Sequence, residues 1–367
     1  SLQAVADAGY TRDRLPGRRT GVIVGNTLTG EQTRANTMRL RWPFVRRALH
    51  AAARAQGMDD SQLDRLTRIL KERYTSVFPP VDEDTLAGGL TNTIAGRICN
   101  HLDLMGGGFT IDGACSSSLL AAAHAASRLA NGDLDLAIVG GVDISLDPFE
   151  LIGFAKTGAL TDDDMTVYDR GGKGFIPGEG CGFMVLKPLD DARRDGDRMY
   201  AVIHGWGISS DGGGSGITAP SAAGQALALK RAYRHAPHGI QDLDFIEGHG
   251  TGTTVGDRTE LEAIARAMGR QPVSRGQLRP CGITSLKSII GHTKAASGIG
   301  GLIKAVMAVN RRVIPPTAAC RNPHQAFDSA ARRLYPVRLG LQESRDRKLT
   351  AGVSSMGFGG INCHITL

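Results

Sequence analysis

The sequence has few aromatic residues and no paired cysteine motif. Aromatic residues make up 5% of its 367 residues, and its six cysteines lie far apart with no C-x-x-C spacing. This spacing excludes a zinc ribbon and gives no disulfide framework, so the cysteines indicate a reduced, cytoplasmic compartment. A zinc site built from Cys281, Cys363 or His364 also lacks the required ligand spacing, and we predict no metal site.

Long apolar runs are absent too, as are two common catalytic motifs. No apolar run reaches the ~18 residues of a membrane span, and the N-terminus lacks the layout of a signal peptide. We therefore predict no contact with a membrane. The sequence also holds no P-loop and no G-x-S-x-G elbow, so other residues must carry any chemistry.

The chain is basic, with a formal net charge of +7 and a pI near 9.2. Binding of nucleic acid would need basic residues interleaved with aromatic ones, which are scarce. The densest basic stretch falls in a predicted helical segment and comprises Arg34, Arg39, Arg41, Arg46, Arg47 and Arg54. We interpret it as a solvated helix face, with a docking patch for an acidic partner as the second interpretation, and predict no nucleic-acid partner.

Alternating helical and extended stretches predict an α/β protein with a substantial core. The apolar centre of residues 134–144 is typical of a strand buried on both faces, and residues 243–247 echo its beginning. The echo indicates a duplicated fold. We predict an N-terminal half over residues 1–188 and a C-terminal half over residues 189–367 that share one core.

Local periodicity places the individual elements. We predict a strand over residues 21–25, followed by two helices that end before Pro79 and then by one helix over residues 85–100. Residues 199–208 predict a further strand, and residues 294–310 predict a helix. The sequence contains no linker that would separate these elements into independent domains.

Cys115 lies where an extended run turns into a helical one that begins near Leu119. A thiol at a helix N-terminus meets unpaired N–H groups and the positive end of the helix dipole, so we predict a lowered pKa and a nucleophile. Small residues before Cys115 and three serines after it suit a tight elbow. The alternative is a buried small hydrophobe, which is the commonest fate of a cysteine.

Two histidines follow predicted strands in glycine-rich surroundings. Next to His249, glycines allow close backbone approach and threonines can hydrogen-bond a ligand. His292 comes five residues after Lys287, and Phe358 stands alone among glycines. Each stretch by itself could be structural, but the strand ends of an α/β fold can bring one cysteine and two histidines together.

In this order the motifs resemble the signature of β-ketoacyl synthases, and more narrowly that of the ketosynthase domain of a type I polyketide synthase. The matching stretches are residues 112–119, 177–180, 248–253 and 256–257, Lys287 with residues 291–292, and residues 357–362. Residues 25–31 and 88–97 are most similar to the iterative synthases that make enediyne polyene precursors. The resemblance runs from about residue 1 to the end of the chain.

The resemblance implies the thiolase fold, in which two duplicated βαβ halves stack as α-β-α-β-α layers. The family's domain normally starts several dozen residues earlier, so we expect its first strand to be missing and a sheet edge to be uncovered. The family's usual Thr-Ala-Cys is Gly-Ala-Cys here, at Gly113, for which we expect only a local adjustment. The resemblance also implies a homodimer paired through the strand at about residues 107–112.

The activity implied by the resemblance is a decarboxylative Claisen condensation. Cys115 would carry the acyl chain as a thioester. His249 and His292, as neutral Nε2–H donors, would bond the oxygen on which the enolate charge develops. The backbone N–H groups of Cys115 and Phe358 would form the oxyanion hole for the condensation step.

The resemblance implies supporting roles as well. Lys287 would orient and tune His292 with Glu260 as its partner, although this pair could equally be a structural salt bridge. Phe358 would gate the acyl pocket by swinging with its loop. The implied substrate-binding residues are Thr251, Thr253, Gly357 and Gly359.

The implied substrates are acyl and malonyl thioesters carried on the phosphopantetheine of an acyl carrier protein, with no cofactor bound directly. The implied setting is a larger synthase with other domains. The alternatives are a fatty-acid-type or polyunsaturated-fatty-acid-type synthase, and a non-condensing homologue that binds carrier proteins. A thiolase would need a second catalytic cysteine in a Cys-x-Gly loop, whereas the loop here holds Cys363 followed by His364.

Overall fold

The computed structural model describes residues 1–27, 30–213, 216–269, 280–328, 333–343 and 347–367. The helices in these ranges are α1 (Leu2–Asp7), α2 (Glu31–Leu40), α3 (Trp42–Ala55), α4 (Asp60–Ser76), α5 (Asp84–Gly88), α6 (Asn92–Leu102), α7 (Ser117–Ala130), α8 (Pro148–Lys156), α9 (Leu189–Arg194), α10 (Ala222–Ala232), α11 (Thr254–Met268), α12 (Lys287–Ile290) and α13 (Ser297–Arg311). The strands are β1 (Thr20–Gly25), β2 (Gly108–Ile111), β3 (Leu136–Asp143), β4 (Gly180–Leu186), β5 (Gly205–Ser210), β6 (Phe245–Glu247), β7 (Cys281–Thr284), β8 (Val313–Ile314), β9 (Leu334–Pro336), β10 (Leu341–Gln342), β11 (Ala351–Gly357) and β12 (Ile361–Thr366). None of the helices so described is long and apolar enough to cross a bilayer.

Four strands form the first sheet, in the order β2-β1-β3-β4. Strand β1 runs parallel to both β2 and β3, whereas β4 returns antiparallel to β3. All six residues of β1 and seven of the eight residues of β3 are buried. The prediction of a strand buried on both faces within residues 134–144 is therefore confirmed.

Six strands form the second sheet, in the order β5-β12-β11-β6-β7-β9. Strands β1, β2, β3 and β4 of the first sheet correspond in order and direction to β6, β7, β11 and β12 of the second. The predicted duplication is present, but the echo at residues 243–247 joins β3 to β6, which are not counterparts. That echo reflects only the shared composition of two buried strands.

The two sheets differ at one edge. In the second sheet β12 is covered by the antiparallel strand β5, whereas the outer edge of its counterpart β4 has no strand partner within the described residues. This is the uncovered edge that the resemblance predicts. At the opposite end of the first sheet, β2 is also an edge strand, and its residues are exposed or half-buried.

Helices α7 and α13 pack against each other between the two sheets. Helix α6 covers the other face of the first sheet, and α10 with α11 covers the second sheet. The layers are therefore α-β-α-β-α, which is the thiolase fold. Both central helices begin at the ends of parallel strands, so their N-termini lie in the interior where the two halves meet.

Three predicted elements differ from the structure. Three helices, not two, precede Pro79, because Pro43 lies at the start of α3 and separates it from α2. The predicted helix over residues 85–100 is two helices, α5 and α6, which part at Gly89. The predicted strand over residues 199–208 begins only at Gly205, because its partner β12 ends at Thr366.

Candidate active site

One cavity of about 470 Å³ brings together side chains from both halves of the fold. The predicted site residues that line it are Cys115, His249, Thr251, Thr253, Glu260, His292, Gly357 and Phe358. Lys287 lies behind this wall, and Gly359 lies in the turn beyond Phe358. The structure therefore brings the cysteine and both histidines into one pocket.

Cys115 sits in a tight turn directly before α7. Ala114 has a left-handed backbone there, with φ +50°, which costs free energy for a residue with a side chain. Neighbouring hydroxyls hold the turn: Ser117 Oγ accepts from the Gly113 N–H at 2.9 Å, and Ser116 Oγ donates to the Gly113 carbonyl at 2.7 Å. Two of the three serines after the cysteine therefore build the elbow itself.

Two glycines allow close packing around this elbow. A Cβ at Gly113 would overlap with the side chain of Leu120, which is buried against the turn. The expected local adjustment at Gly113 is therefore a change in packing, because the Leu120 side chain fills the space that a larger residue's Cβ would need. A Cβ at Gly357 would overlap with the Gly113 carbonyl, so only glycine lets the Phe358 loop lie directly on the elbow.

Burial raises the pKa of the Cys115 thiol to about 11, while the positive charge of Lys287 acts in the opposite direction. The predicted lowering of this pKa is therefore wrong. The loss of solvent at a residue that is only 8% exposed outweighs the positive charges of Lys287 and Lys294. At neutral pH the group is a protonated thiol.

Hydrogen bonds fix the tautomers of both histidines. The Met356 N–H donates to His249 Nδ1 at 3.3 Å, and the Lys294 N–H donates to His292 Nδ1 at 3.1 Å. Because a backbone N–H can only donate, each imidazole carries its proton on Nε2. Burial, together with the charge of Lys287, lowers the pKa of both imidazoles well below its usual value, so both rings are neutral.

Lys287 does not pair with Glu260 as the sequence predicts. Its ammonium donates to the His249 carbonyl at 2.6 Å. Glu260 accepts from the N–H groups of His249 and Gly250 at 2.6 and 2.9 Å, and from the Tyr168 hydroxyl at 2.9 Å. Both charged groups therefore hold the backbone around His249, and neither hydrogen-bonds His292.

The loop after His249 presents two hydroxyls at the cavity wall. Thr251 Oγ1 and Thr253 Oγ1 lie 3.0 Å apart. Asp257 holds the loop from behind, because it accepts from the N–H groups of Thr251 and Gly252 at 3.1 Å each. Burial raises the pKa of this carboxyl to about 7. The paired hydroxyls can thus hydrogen-bond a polar ligand in the cavity.

A row of aromatic rings connects Phe358 to His292. Phe358 stacks on Phe154 with ring centroids 6.1 Å apart, and Phe154 meets Phe175 edge-on at 5.2 Å. Phe175 in turn meets the His292 ring edge-on at 4.9 Å. Phe358 nevertheless stays 41% exposed, so its ring closes one side of the cavity without being locked into the core.

Within the described residues, the backbone N–H groups of Cys115 and Phe358 have no hydrogen-bond acceptor. The duplicated fold indicates what the first of them can bind. Ala295, at the equivalent position before α13, donates its N–H to the Asp143 carboxylate at 3.1 Å. Since an anionic oxygen fills this position in the second half, the Cys115 N–H can receive one in the first.

Sequence reasoning missed the buried polar groups behind the cavity. Tyr168 supports Glu260, and Lys294 forms ion pairs with Asp143 and Glu150. One sequence signal could have indicated these buried polar groups: an acidic residue, Asp143, ends an otherwise apolar strand. No group of three or more potential metal ligands occurs in the described part of the chain.

Comparison with known proteins identifies the family. Residues 1–192 match the family model of the β-ketoacyl synthase N-terminal domain, and residues 200–321 match that of the C-terminal domain. The chain belongs to the β-ketoacyl synthase family. It is a ketosynthase domain of the type I polyketide synthase kind, and therefore an acyltransferase.

Similar proteins and structures agree with this class. One component of the phenolphthiocerol/phthiocerol polyketide synthase of Mycobacterium tuberculosis is 40% identical over 78% of this chain and 15% of that protein. One component of the polyunsaturated fatty acid synthase of Thraustochytrium sp. is 34% identical over 100% of this chain and 13% of that protein. The ketosynthase from module 6 of the Bacillus subtilis bacillaene synthase superposes with a TM-score of 0.78 and 32% identity, over 99% of this chain and 56% of that one. The chain thus spans only a small part of the curated relatives it matches.

Proposed function

We propose that this domain extends a polyketide by decarboxylative condensation, with Cys115 as acyl carrier and His249 and His292 as donors to the enolate. Membership of the family supports the reaction. The observation that carries the assignment of roles is the pair of fixed Nε2–H tautomers, because a neutral Nε2–H can donate to a developing oxyanion.

In the first step the Cys115 sulfur attacks the carbonyl carbon of an acyl thioester. The raised pKa keeps this sulfur protonated beforehand, so its proton leaves during the attack and is taken up by the departing thiolate. The N–H groups of Cys115 and Phe358 hold the tetrahedral oxyanion. The C–S bond of the donor breaks, and the acyl group remains on Cys115.

In the second step a malonyl thioester enters beside Thr251 and Thr253, with Gly357 and Gly359 on the far side of its pantetheine arm. The bond to the carboxylate breaks, CO2 leaves, and the electron pair forms an enolate. His249 and His292 donate to the enolate oxygen, and each donor of this kind lowers the barrier by roughly 3–4 kcal/mol.

In the third step the enolate carbon attacks the acyl carbonyl on Cys115. A C–C bond forms, the C–S bond breaks, and Cys115 leaves as a thiolate that takes up a proton. The product is a β-ketoacyl thioester two carbons longer. Lys287 and Glu260 contribute by holding the carbonyl and the N–H of His249.

We propose that both substrates arrive on the phosphopantetheine of an acyl carrier protein, within a larger synthase. The length of the matched relatives supports this setting. The division into halves between residues 188 and 189 is supported by the strand positions: the last strand of the first sheet along the chain, β4, ends at Leu186, and the first strand of the second sheet, β5, begins at Gly205. The edge position of β2 supports a homodimer paired along that strand, which light scattering at micromolar concentration tests.

We infer an iterative synthase of the enediyne type from the stretches at residues 25–31 and 88–97, of which residues 28 and 29 lie outside the described residues. The second candidate is a polyunsaturated-fatty-acid-type synthase. It is favoured by the 34% identity to one component of such a synthase over the whole of this chain. Both candidates share the condensation chemistry of the site.

The test is incubation of the protein with acetyl and malonyl carrier proteins, followed by intact mass of the protein and analysis of the released products. We expect an acyl adduct on Cys115 and repeated two-carbon additions. A single addition per chain would contradict iteration, and the lack of any adduct would contradict the reaction itself. Carrier proteins from the two synthase classes, compared side by side, discriminate between the candidates.

A further inference from the structure

Lys294 is a buried cation two residues after His292. Its ammonium lies 3.1 Å from Asp143 Oδ1 and 3.2 Å from Glu150 Oε2, and donates to the Gly178 carbonyl at 3.0 Å. The lysine side chain is 3% exposed. Asp143 ends β3 and Glu150 lies in the first turn of α8, so the lysine joins three separate segments behind the cavity.

Stability alone does not account for ions buried this deeply. Taking charges out of water costs about as much free energy as their attraction returns, and well-packed apolar residues often serve equally well. The remaining oxygens of the cluster also have partners: Ala295 N–H donates to Asp143 Oδ2 at 3.1 Å, and the Ser145 hydroxyl lies 3.2 Å from Glu150 Oε1. A fully satisfied cluster of this kind specifies one arrangement of the segments that meet there.

The duplicated fold provides an internal comparison. Ala114 before α7 and Lys294 before α13 are equivalent residues, and both have left-handed backbones, with φ +50° and +46°. In each half the side chain two residues earlier accepts the N–H of this residue. Asp112 Oδ1 accepts from Ala114 at 3.0 Å, and His292 Nδ1 accepts from Lys294 at 3.1 Å. His292 thus occupies the acceptor position of the same turn.

The two turns are supported by different groups. Two serine hydroxyls hold the backbone of the elbow around Ala114. At the equivalent positions the second half has Ala296, which has no hydroxyl, and Ser297, whose hydroxyl donates to the Cys115 carbonyl at 3.2 Å. The turn at His292 therefore lacks the serine support. Its backbone pairs with Ile176 and Gly178 through His292, and the Lys294 ammonium ties it further to the Gly178 carbonyl, Asp143 and Glu150.

We propose that Lys294 is a positioning residue: its ion pairs with Asp143 and Glu150 hold its own N–H on His292 Nδ1 and so keep the His292 proton on Nε2. This inference rests on the proposed role of His292 as a donor to the enolate. Without the anchor, the left-handed residue relaxes and its N–H leaves Nδ1. The imidazole then takes the other tautomer or rotates, and the enolate oxygen loses a donor.

The test is Lys294→Met in the full chain, with Lys304→Met as the matched control. Lys304 is a half-buried lysine, 13% exposed, that pairs with Glu247 at 2.7 Å, and within the described residues it makes no hydrogen bond to His292. The readouts are release of labelled CO2 from malonyl carrier protein and the ring 15N NMR signals of His292. We expect Lys294→Met to lose the Nε2-protonated signal and to release CO2 about 100-fold more slowly, as a misplaced group does. Lys304→Met should keep that signal.

A second variant keeps the test decisive if Lys294→Met does not fold. Glu150→Gln removes one of the two anchors and leaves the Lys294–Asp143 pair intact, so we expect a partial loss of the His292 signal and about a tenfold fall in CO2 release. If Lys294→Met and Glu150→Gln fold and keep the parent's His292 signal and rate of CO2 release, the inference is overturned. His292→Ala distinguishes failure of the inference from failure of the proposed function. If His292→Ala releases CO2 at the parent rate, the proposed function fails; if it is impaired while the Lys294 and Glu150 variants are not, only the role of Lys294 fails.

Discussion

The rings of His249 and His292 lie with centroids 5.7 Å apart and at 85° to each other. Each ring has its Nδ1 occupied by a backbone N–H, so neither can turn over without losing that bond. Two neutral donors are thereby fixed in the wall of one cavity. This preorganisation is what a site needs in order to stabilise charge that appears only during the reaction.

The first prediction concerns pH. Burial and the charge of Lys287 keep the pKa of both imidazoles well below 6.5, so neither ring gains a proton as the pH falls from 8 to 6. The ring 15N NMR signals of His249 and His292 should therefore stay those of neutral imidazoles over this range. A change in these signals with a midpoint near pH 6.5 would mean that a histidine titrates at its ordinary pKa. The NMR signals are followed instead of CO2 release because the Asp257 carboxyl behind the Thr251 loop has a pKa of about 7 and titrates in the same range.

The second prediction concerns the thiol. Because the pKa of Cys115 is raised to about 11, its alkylation by iodoacetamide should speed up about tenfold per pH unit from pH 7 to pH 9. Lys287→Met should slow the reaction further, since it removes a charge that lowers this pKa. Peptide mapping separates Cys115 from the exposed Cys181. A rate that levels off below pH 8 would contradict the raised pKa.

The third prediction concerns the support of His249. Tyr168→Phe removes one hydroxyl, which is fully buried and donates to Glu260 at 2.9 Å. The free energy of unfolding should fall by about 1–3 kcal/mol, because a buried carboxylate loses a donor. Tyr200→Phe is the control, since its hydroxyl bonds the solvent-exposed Asp7. Equal effects in urea denaturation of the two variants would argue against a special role for the buried bond.

The fourth prediction concerns the gate. Phe358→Ala should slow acyl transfer to Cys115 without unfolding the protein, because the ring lines the cavity, stacks on Phe154 and stays 41% exposed. Phe44→Ala, at an exposed phenylalanine on α3, is the matched control. The measurement is the rate of acyl transfer to Cys115 and the rate of condensation, each followed by quenching reactions with acyl or malonyl carrier protein at set times. Unchanged rates in both would remove the gating role.

The sequence predicts much of the fold because buried strands and the elbow leave local patterns. The apolar run that became β3 and the small residues around Cys115 are examples. Non-local pairing is less legible: the strand over residues 199–208 was predicted too long because its length depends on where β12 ends. The pKa of Cys115 differs from the prediction for a similar reason. The burial that raises it depends on the whole fold, whereas the prediction rests on the helix N-terminus alone.

The supporting residues of the site were the hardest to predict. The resemblance implies that Glu260 and Lys287 are partners, yet both bind the backbone of His249. Nothing in the sequence next to Lys294 distinguishes it from a solvated lysine. Its partners Asp143 and Glu150 come from a distant strand and helix, and only the folded chain brings them together.

The most direct test of the account measures labelled CO2 release and protein acylation side by side in Cys115→Ala, His249→Ala and His292→Ala. If the histidines stabilise the enolate and Cys115 only carries the electrophile, Cys115→Ala abolishes condensation but still decarboxylates malonyl carrier protein. Each histidine variant should release CO2 about two to three orders of magnitude more slowly, while Cys115 still accepts an acyl group. Histidine variants that decarboxylate at the parent rate, or a Cys115→Ala variant as inactive as they are, would contradict this division of labour.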